Sequence, residues 1–418
     1  MTLVEFVPPT PHPLWKLCPQ MGITDVIVKV NPDLTGLPDP WRHETLSRIV
    51  GRLKDAGLNV VGLEGDPFDM SPIKEYGIRV GENSSSWRKE EQNPLSNSNS
   101  KLQLGRDEAL GHYCELLESM GKLGIKLLCY NFMVGKGWSR TGVREGRGGA
   151  KATYFSMEET ERHVTSDLGL KTANAEVRSQ ESEVLLLSHD QVWANYAYFI
   201  KAVMPTAEKC GVRMGLHPDD PCLPSLGGYA RIFGSVEAYD RAYELYPSPS
   251  NAVTFCQANF KLMLGEVGEN SSSSGEVVGT SCSSRKDGEN STLQLQLKTP
   301  TQLANSNLQL GTLADVARHF SKRIAFIHVR DVEGTKEDFT ELFHDQGTTD
   351  QFALMRVYRE LGLDVPLRGD HVPEMAYDRE LTPEGTPGYF TLGRLFANGY
   401  LKALLKGSCN NACKISIA

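Results

Sequence analysis

The stretch HDQVWANYAYFIKAVMPTAEKCGVRMGLH (189–217) contains the unit from which the fold can be predicted. Residues 189–211 have the length and the apolar spacing of a helix. The remaining residues, VRMGLH, form a short and mainly apolar run that ends in His217. Such a run is typical of a buried strand. The stretch therefore predicts a helix that leads into a strand, with a histidine at the strand's carboxyl end.

The same helix–strand unit recurs through the chain. In WRHETLSRIVGRLKDAG (41–57), apolar residues follow helical spacing, and Gly57 ends the helix before the strand LNVVGLE (58–64). TDVIVKV (24–30) is a seventh strand, and LVEFV (3–7) could supply an eighth. Further units cover 107–132, 235–257, 313–330 and 350–371, and a closing helix is predicted around 392–406. This alternation predicts the α/β class and a (β/α)8 TIM barrel, with one catalytic domain over 1–418.

Four predicted strands end in side chains that can bind a metal. They are MGLHPDD at His217, VTFCQ at Cys256, AFIHVRD at His328 and PLRGDH at Asp370. In a barrel, the carboxyl ends of the strands share one rim, where active sites lie. Two imidazoles, a thiolate and a carboxylate could hold a divalent transition metal and leave positions open for substrate. Taken singly, each of these residues could instead be an ordinary buried side chain.

Composition limits the classes of partner. The chain of 418 residues has 44 Lys and Arg against 52 Asp and Glu, so its net charge of −8 gives no basic excess for nucleic acid. It has no apolar run long enough to span a membrane and no secretory signal, which predicts a cytoplasmic protein without a membrane partner. Its nine cysteines are scattered and odd in number, so no disulfide framework is expected. A homo-oligomer is left open.

Two low-complexity segments interrupt the pattern, at 81–105 and 266–310. Both are rich in serine and asparagine, and GENSSS occurs in each, beginning at residues 81 and 268. Such composition is typical of segments that cannot bury enough apolar surface to fold. We predict that both are disordered insertions within the barrel.

The chain resembles the mannonate dehydratase family. The motifs that carry the resemblance are CYNFM (129–133), GWSRT (137–141), VRMGLHPDDP (212–221), LGGYARIF (226–233), TFC (254–256), IHVRD (327–331), FHDQGTTD (343–350), GDH (369–371) and PGYFTLGRL (387–395). The resemblance implies a xylose-isomerase-like barrel. It also implies a hydro-lyase of hexuronate (glucuronate) catabolism, which removes water from D-mannonate to give 2-keto-3-deoxy-D-gluconate.

The resemblance also implies a cofactor and roles for particular residues. The family binds one divalent metal, usually Mn²⁺ with Fe²⁺ as the alternative, through residues that correspond to His217, Cys256, His328 and Asp370. The catalytic pair would be His371 and Tyr389, and which of the two is base or acid stays open. His371 could instead only support a metal ligand, and Tyr389 could be a packing residue.

A sugar-acid substrate calls for cations and hydrogen-bonding groups near the metal. We predict that 135–151, with Lys136, Arg140, Arg144, Arg147 and Lys151, is a mobile loop over the site. Arg140 is the predicted clamp for the substrate carboxylate. Further candidates for substrate binding are Asn131 and Arg330, and then Arg231. Asp219 and Asp220 are expected to support the metal ligands, and Glu64 is a weaker candidate.

Three departures from the family pattern leave the substrate less certain than the reaction class. The first strand, LVEFVPPTP, lacks the usual aromatic and arginine-rich motif. Gln257, Ala258 and Asn259 replace a Thr-Gly-Ser pattern, and Gly369 stands where proline is common. Two other functions therefore stay open. One is a metal-dependent sugar isomerase or epimerase with the same barrel, and the other is a non-catalytic sugar-acid-binding protein.

Overall fold

The structure of the protein is a computed structural model, and it describes residues 1–77, 105–135, 137–167, 186–265 and 310–408. These residues form a parallel sheet of nine segments, an antiparallel sheet of four strands and a short hairpin. The segments of the parallel sheet are β1 (Thr2–Leu3), β2 (Glu5–Val7), β3 (Asp25–Val28), β4 (Asn59–Glu64), β5 (Leu127–Tyr130), β8 (Arg213–Leu216), β11 (Asn251–Cys256), β12 (Ile324–Val329) and β15 (Pro366–Gly369). The antiparallel strands are β6 (Gly142–Glu145), β7 (Lys151–Ser156), β13 (Val332–Gly334) and β14 (Asp338–Glu341), and the hairpin joins β9 (Ser225–Leu226) to β10 (Tyr229–Ala230).

The parallel sheet closes on itself through the N-terminal residues. Segments β1 and β2 stand at the two ends of the sheet order, where β1 pairs with β15 and β2 pairs with β3. Only Val4 separates them, and its N–H donates to the carbonyl of Leu367 at 2.8 Å. Residues 2–7 thus act as one strand that joins the last strand to the second. The eight-stranded barrel is confirmed, including LVEFV as its eighth strand.

Helices alternate with the barrel strands as the sequence pattern predicts. The predicted helix at 41–57 is His43–Asp55, which buries Leu46, Ile49 and Leu53 against the sheet, and Gly57 follows with a positive φ of 80°. The helices of the described residues are α1 (Pro13–Gln20), α2 (Pro32–Thr35), α3 (His43–Asp55), α4 (Ser71–Lys74), α5 (Arg106–Lys122), α6 (Met157–Asp167), α7 (His189–Cys210), α8 (Val236–Leu245), α9 (Gln257–Leu264), α10 (Leu313–His319), α11 (Gln351–Glu360), α12 (Asp378–Leu381) and α13 (Thr391–Gly407).

The interior of the barrel requires small residues at particular positions. A Cβ atom at Gly62 would lie 2.8 Å from Ile27 Cδ1, and one at Gly215 would lie 2.6 Å from Thr254 Oγ1. Both distances are closer than packed side chains tolerate, since interiors are already near crystal density. These two glycines therefore allow the side chains of neighbouring strands to fill the barrel.

The closing helix fixes the N-terminal strand in place. Glu5 on β2 is buried, and its carboxylate accepts hydrogen bonds from Arg394 and Asn398 on α13. A buried carboxylate needs such partners, because an unpaired charge in the interior is costly. This contact helps to hold the short N-terminal strand in position.

The antiparallel sheet lies at the rim formed by the carboxyl ends of the barrel strands. Its strands follow β5 and β12 in the chain, and β7 also bridges to Glu374, just beyond β15. The prediction of a loop over 135–151 is wrong at Gly142–Glu145 and at Lys151, because Gly142–Glu145 form strand β6 and Lys151 begins its partner β7. Val143 and Glu145 alternate with more covered neighbours, the period of a strand with one solvated face.

The predicted insertions, 81–105 and 266–310, lie outside the described residues except for Gly105 and Leu310. Their disorder and the single domain over 1–418 stay predictions. Among the helices that the structure describes, none combines the length and apolar character needed to cross a membrane.

Candidate metal centre and active site

Four side chains converge at the rim of the barrel. His217 directly follows β8, Cys256 ends β11, His328 lies in β12, and Asp370 directly follows β15. Strands β8, β11, β12 and β15 are neighbours in the sheet, and Cys256 is the register partner of His328. One ligand atom from each of the four residues lies within 4.8 Å of those of the other three. The structure thus brings together all four residues that were predicted from the sequence as metal ligands.

The buried ring of His328 supports a ligand role. The residue is 1 % exposed, and neither ring nitrogen forms a hydrogen bond. Nδ1 lies 3.5 Å from Asp370 Oδ2, and Nε2 lies 3.6 Å from Glu64 Oε2. Buried polar atoms in proteins nearly always have a partner. A coordinating nitrogen that faces a cation would satisfy this rule.

Two other members of the cluster are in the protonation state that a metal ligand requires. Burial raises the pKa of Cys256, but the neighbouring rings of His217 and His328, and then the charge of Arg330, outweigh burial and lower this pKa to about 6. Burial likewise raises the pKa of Asp370, whereas His371, Arg368 and His328 hold it well below its usual value. A thiolate and a carboxylate are therefore available near neutral pH.

A backbone contact fixes the orientation of His217. Its Nδ1 lies 2.8 Å from the carbonyl oxygen of Pro218, which can only accept a hydrogen bond. Nδ1 must therefore carry the proton, and Nε2 is the nitrogen with a free lone pair. Metal-binding histidines commonly use this arrangement, in which the second nitrogen donates to the protein. The donor set as a whole fits a divalent transition metal.

Glu64 and Cys129 form a second group with His328, deeper in the barrel. Arg368 occupies the carboxylate of Glu64, with its Nη2 at 2.6 Å and its Nε at 3.1 Å. Burial raises the pKa of the Cys129 thiol, so this sulfur is a neutral and weak ligand. We interpret the group as support for His328, in which a carboxylate faces the ring nitrogen that points away from Asp370.

Arg368 is a site residue that the sequence reasoning missed. It is buried in β15, and its Nη1 lies 2.9 Å from Asp370 Oδ1 while its other nitrogens bind Glu64. The signal was present in PLRGDH, because residues two apart on a strand point to the same side. A charged residue on the side of the strand that carries Asp370 indicates a partner inside the barrel.

His371 and Tyr389 are in direct contact beside the cluster. His371 Nε2 lies 2.8 Å from the Tyr389 hydroxyl, and the two rings meet edge to face at 5.0 Å. His371 Nε2 also lies 3.8 Å from Asp370 Oδ1. Burial, and then the charge of Asp370, raise the pKa of Tyr389 well above its usual value, so its hydroxyl stays protonated at neutral pH. The pair can therefore exchange a proton next to the four predicted ligands.

A buried ion-pair network lies on the other side of His371. Arg140 binds Asp220 through Nη1 at 2.7 Å and Nη2 at 2.9 Å, and its Nη2 also binds Glu341 at 2.7 Å. Arg330 binds Asp220 at 2.8 Å and Glu341 through Nε at 2.8 Å and Nη2 at 2.6 Å. All four side chains are at most 4 % exposed. Glu341, at the end of β14, then reaches His371 Nδ1 at 3.0 Å.

This network changes the interpretation of Arg140 and Arg330. Both terminal nitrogens of Arg140 bind protein carboxylates, and Arg330 is fully buried and also contacts Cys256 Sγ at 3.8 Å. Their predicted contacts with substrate stay predictions. What the geometry supports is that the two arginines hold Asp220 and Glu341 beside the site.

Two of the residues that depart from the family pattern, Gln257 and Asn259, lie next to this ion-pair network or to Cys256. Asn259 Oδ1 accepts from Arg330 at 2.9 Å and lies 2.8 Å from Cys256 Sγ, while Asn259 Nδ2 donates to the carbonyl of Asp219. Gln257 is buried and bonds to Gln351 and Tyr358. These amides support the strand end that carries Cys256.

Protein partners are also present for Asn131 and Arg231, the other predicted substrate-binding residues, and for Asp219, a predicted support for the metal ligands. The oxygen of the Asn131 side chain accepts from Lys74 Nζ at 3.0 Å and from the N–H of Met133. Asp219 accepts from the N–H of Phe233 at 2.8 Å. Arg231 donates to the carbonyl of Gly137.

The remaining cations of the 135–151 segment lie at the surface or outside the residues that the structure describes. Arg144 and Arg147 form partly exposed ion pairs with Asp338 and Asp345. Lys136 lies outside the described residues, and Lys151 pairs through its backbone with Glu374. The cationic side chain of this segment that reaches the buried network is that of Arg140.

Comparison with known proteins decides the family. The family model described as D-mannonate dehydratase (UxuA) matches residues 46–269 and 302–415, which is well over half of the chain. The chain belongs to this family. A mannonate dehydratase of Streptococcus agalactiae serotype Ia is 27 % identical over 385 residues, or 88 % of each chain. One of Brachyspira hyodysenteriae is 26 % identical over 403 residues, or 92 % of this chain and 91 % of the relative.

A solved structure supports the same fold. The crystal structure of mannonate dehydratase from Streptococcus suis serotype 2 superposes with a TM-score of 0.67. The alignment covers 98 % of this chain and 93 % of that chain at 22 % identity. At that identity the likeness supports the barrel, whereas the family assignment comes from the sequence match. The expectation of a mannonate dehydratase family member is confirmed.

Proposed function

We propose that this protein removes water from D-mannonate to give 2-keto-3-deoxy-D-gluconate, with Mn²⁺ as the metal and Fe²⁺ as the alternative. The observation that carries the proposal is the contact of the His371–Tyr389 pair with a cluster of two histidines, a cysteine and an aspartate. Family membership agrees with it. The metal would be held by His217, Cys256, His328 and Asp370.

The reaction breaks two bonds on neighbouring carbons. The C2–H and C3–O bonds break, and the hydrogen and the hydroxyl group leave as water. An enol with a double bond between C2 and C3 forms. It becomes the 2-keto product when its hydroxyl group loses a proton and C3 takes one up. The C2 proton is weakly acidic beside a carboxylate, so its removal needs charge stabilisation. A divalent metal supplies such stabilisation when bound, as a Lewis acid toward substrate oxygens.

His371 and Tyr389 would divide the two proton transfers. The raised pKa of Tyr389 keeps its hydroxyl protonated, which suits an acid that protonates the departing hydroxyl group. We therefore assign the acid to Tyr389 and the base at C2 to His371. Their 2.8 Å contact lets the proton pass between them after the reaction, so that the pair is restored.

Turnover by the metal-stripped full-length protein tests the proposal. D-Mannonate is supplied with and without Mn²⁺, and 2-keto-3-deoxygluconate is measured for the wild type and for His371→Asn. We expect Mn²⁺-dependent product from the wild type and a loss of about 10²- to 10⁴-fold in the variant. A wild type that binds Mn²⁺ without forming product would overturn the substrate assignment. Ketoses and other aldonates would then test an isomerase, an epimerase or a binding protein.

A further inference from the structure

Glu341 makes a contact with His371 that neither the metal cluster nor the proposed chemistry requires. Its Oε1 lies 3.0 Å from His371 Nδ1, while the opposite ring nitrogen, Nε2, lies 2.8 Å from the Tyr389 hydroxyl. Glu341, His371 and Tyr389 thus form a continuous chain of hydrogen-bonding groups. The two ends of the imidazole have different partners, so the ring has one preferred orientation.

The charge of Glu341 fixes which ring nitrogen carries the proton. Burial raises the pKa of Glu341, but Arg330, His371 and Arg140 outweigh burial and lower it to about 2. An ionised carboxylate can only accept a hydrogen bond. Arg140 Nη2 also lies 3.3 Å from Nδ1, but its two protons already point to Asp220 at 2.9 Å and Glu341 at 2.7 Å. Nδ1 of His371 is therefore the donor to Glu341, and in a neutral ring the free lone pair is on Nε2, toward Tyr389.

Two arginines hold Glu341 in this position. Arg330 forms a two-pronged contact with both carboxylate oxygens, at 2.8 and 2.6 Å, and Arg140 binds Oε1 at 2.7 Å. Asp220 binds both arginines in turn, so the group contains two positive and two negative side chains. Balanced charges and paired contacts of this kind make a rigid support in a buried site.

The fold delivers Glu341 from outside the barrel. Glu341 is the last residue of β14, and Arg140 lies two residues before β6, so the antiparallel sheet at the rim positions both. His371 follows the last barrel strand. The contact between Glu341 and His371 therefore depends on how this small sheet sits against the barrel.

We propose that Glu341 is a positioning residue, which keeps Nδ1 of His371 as a hydrogen-bond donor and so aims the free lone pair of Nε2 at Tyr389 and the reacting substrate. The proposal rests on the proposed function for its kinetic consequence. The ring tautomer that it requires does not depend on the identity of the substrate. The two readouts can therefore fail separately.

The first test is the tautomer of His371 in the full-length protein. Metal-free wild type labelled with ¹⁵N only at histidine is examined by two-bond ¹H–¹⁵N correlation at pH 8, and His371→Asn identifies the signal. We expect a proton on Nδ1 and a bare Nε2. A bare Nδ1, with the proton on Nε2, would overturn the proposal. This result stands even if D-mannonate proves not to be the substrate.

The second test is kinetic and uses Glu341→Gln and Glu341→Asp. The first removes the charge at constant size, and the second keeps the charge but shortens the side chain and withdraws it from His371. We expect both to lower kcat by about 10- to 100-fold, by analogy with the loss of a side chain that orients a metal-binding histidine. KM and bound Mn²⁺ should stay close to wild type.

A neighbour on the same strand provides the matched control. Asp338 on β14 pairs with Arg144 at 2.8 Å, is half exposed and does not touch His371. Asp338→Asn should keep wild-type kcat. The proposal is overturned if both Glu341 variants keep wild-type kcat, or if their loss of kcat only follows a loss of bound Mn²⁺. If the wild type shows no turnover, the proposed function fails and the tautomer measurement decides the inference.

Discussion

The barrel rim and the antiparallel sheet beside it supply the site in different ways. At the rim, His217, Cys256 and Asp370 occupy the ends of neighbouring parallel strands, where register alone brings them together. Arg140 and Glu341 come from the antiparallel sheet, and they reach the site through side-chain contacts between two separate sheets. The comparison indicates that the barrel provides the predicted metal ligands, whereas the smaller sheet provides the carboxylate that contacts His371.

The largest effect should come from the strand ends, through Cys256→Ser. The variant loses a thiolate that the buried site provides near neutral pH, so we expect bound Mn²⁺ and turnover to fall by more than about 100-fold, beyond the effect of losing a supporting residue. Metal analysis of the purified protein measures this. Cys129→Ser is the matched control, because that buried thiol also lies near His328. Loss of the metal in the control instead would place the ion deeper in the barrel.

Tyr389→Phe should have the next largest effect and should act on chemistry alone. The change removes only the hydroxyl, so we expect kcat to fall by about 10²- to 10⁴-fold with Mn²⁺ still bound. Steady-state kinetics and metal content are measured together. Tyr377→Phe, at an exposed tyrosine directly before α12, should behave as wild type. Full activity in Tyr389→Phe would mean that the acid is another group.

Asp220→Asn should show how much the buried network between the two sheets contributes to the stability of the protein. The substitution leaves Arg140 and Arg330 with one carboxylate where two were present, and breaking a buried ion pair costs about 3–5 kcal/mol. Denaturant unfolding of metal-free protein measures the loss. Asp338→Asn, on the partly exposed pair with Arg144, should cost less than about 1 kcal/mol. Equal losses in the two variants would contradict the account of a buried network.

Acid should weaken this network in a defined pH window. Burial opposes ionisation of Glu341, but Arg330, His371 and Arg140 lower its pKa from 4.5 to about 2. A carboxyl group with a lowered folded-state pKa contributes stability above its unfolded pKa, and this contribution disappears as the pH falls through the folded value. Between about pH 4.5 and pH 2, the wild type should therefore lose more unfolding free energy than Glu341→Gln. Parallel pH curves for the two proteins would contradict this.

The sequence was sufficient for the barrel and for the cluster at its rim. The 3.6-residue spacing of the helices and the short apolar runs between them predict eight strands, and strand ends of a parallel barrel meet at one rim. LVEFV was the least certain of the predicted strands. Its position depends on Glu5, which binds Arg394 and Asn398 almost 400 residues later. Such a long-range contact leaves no local pattern.

The network around His371 could not be predicted in the same way. Arg140 was predicted to bind the substrate carboxylate from a loop, and no role was predicted for Glu341 in the segment DFTEL. Their roles follow from the pairing of β6 with β7 and of β7 with β14. Pairing between strands that lie far apart in sequence is not visible in local spacing. Arg368, by contrast, could have been found from its two-residue separation from Asp370.

The most direct test of the central claim is the position of the metal. His371→Asn protein is crystallised with Mn²⁺ and D-mannonate, and anomalous diffraction at the manganese edge locates the ion. The account predicts one peak bonded by His217, Cys256, His328 and Asp370, with a substrate oxygen beside it. A peak between Glu64, Cys129 and His328, or no peak at the rim of the barrel, would contradict it.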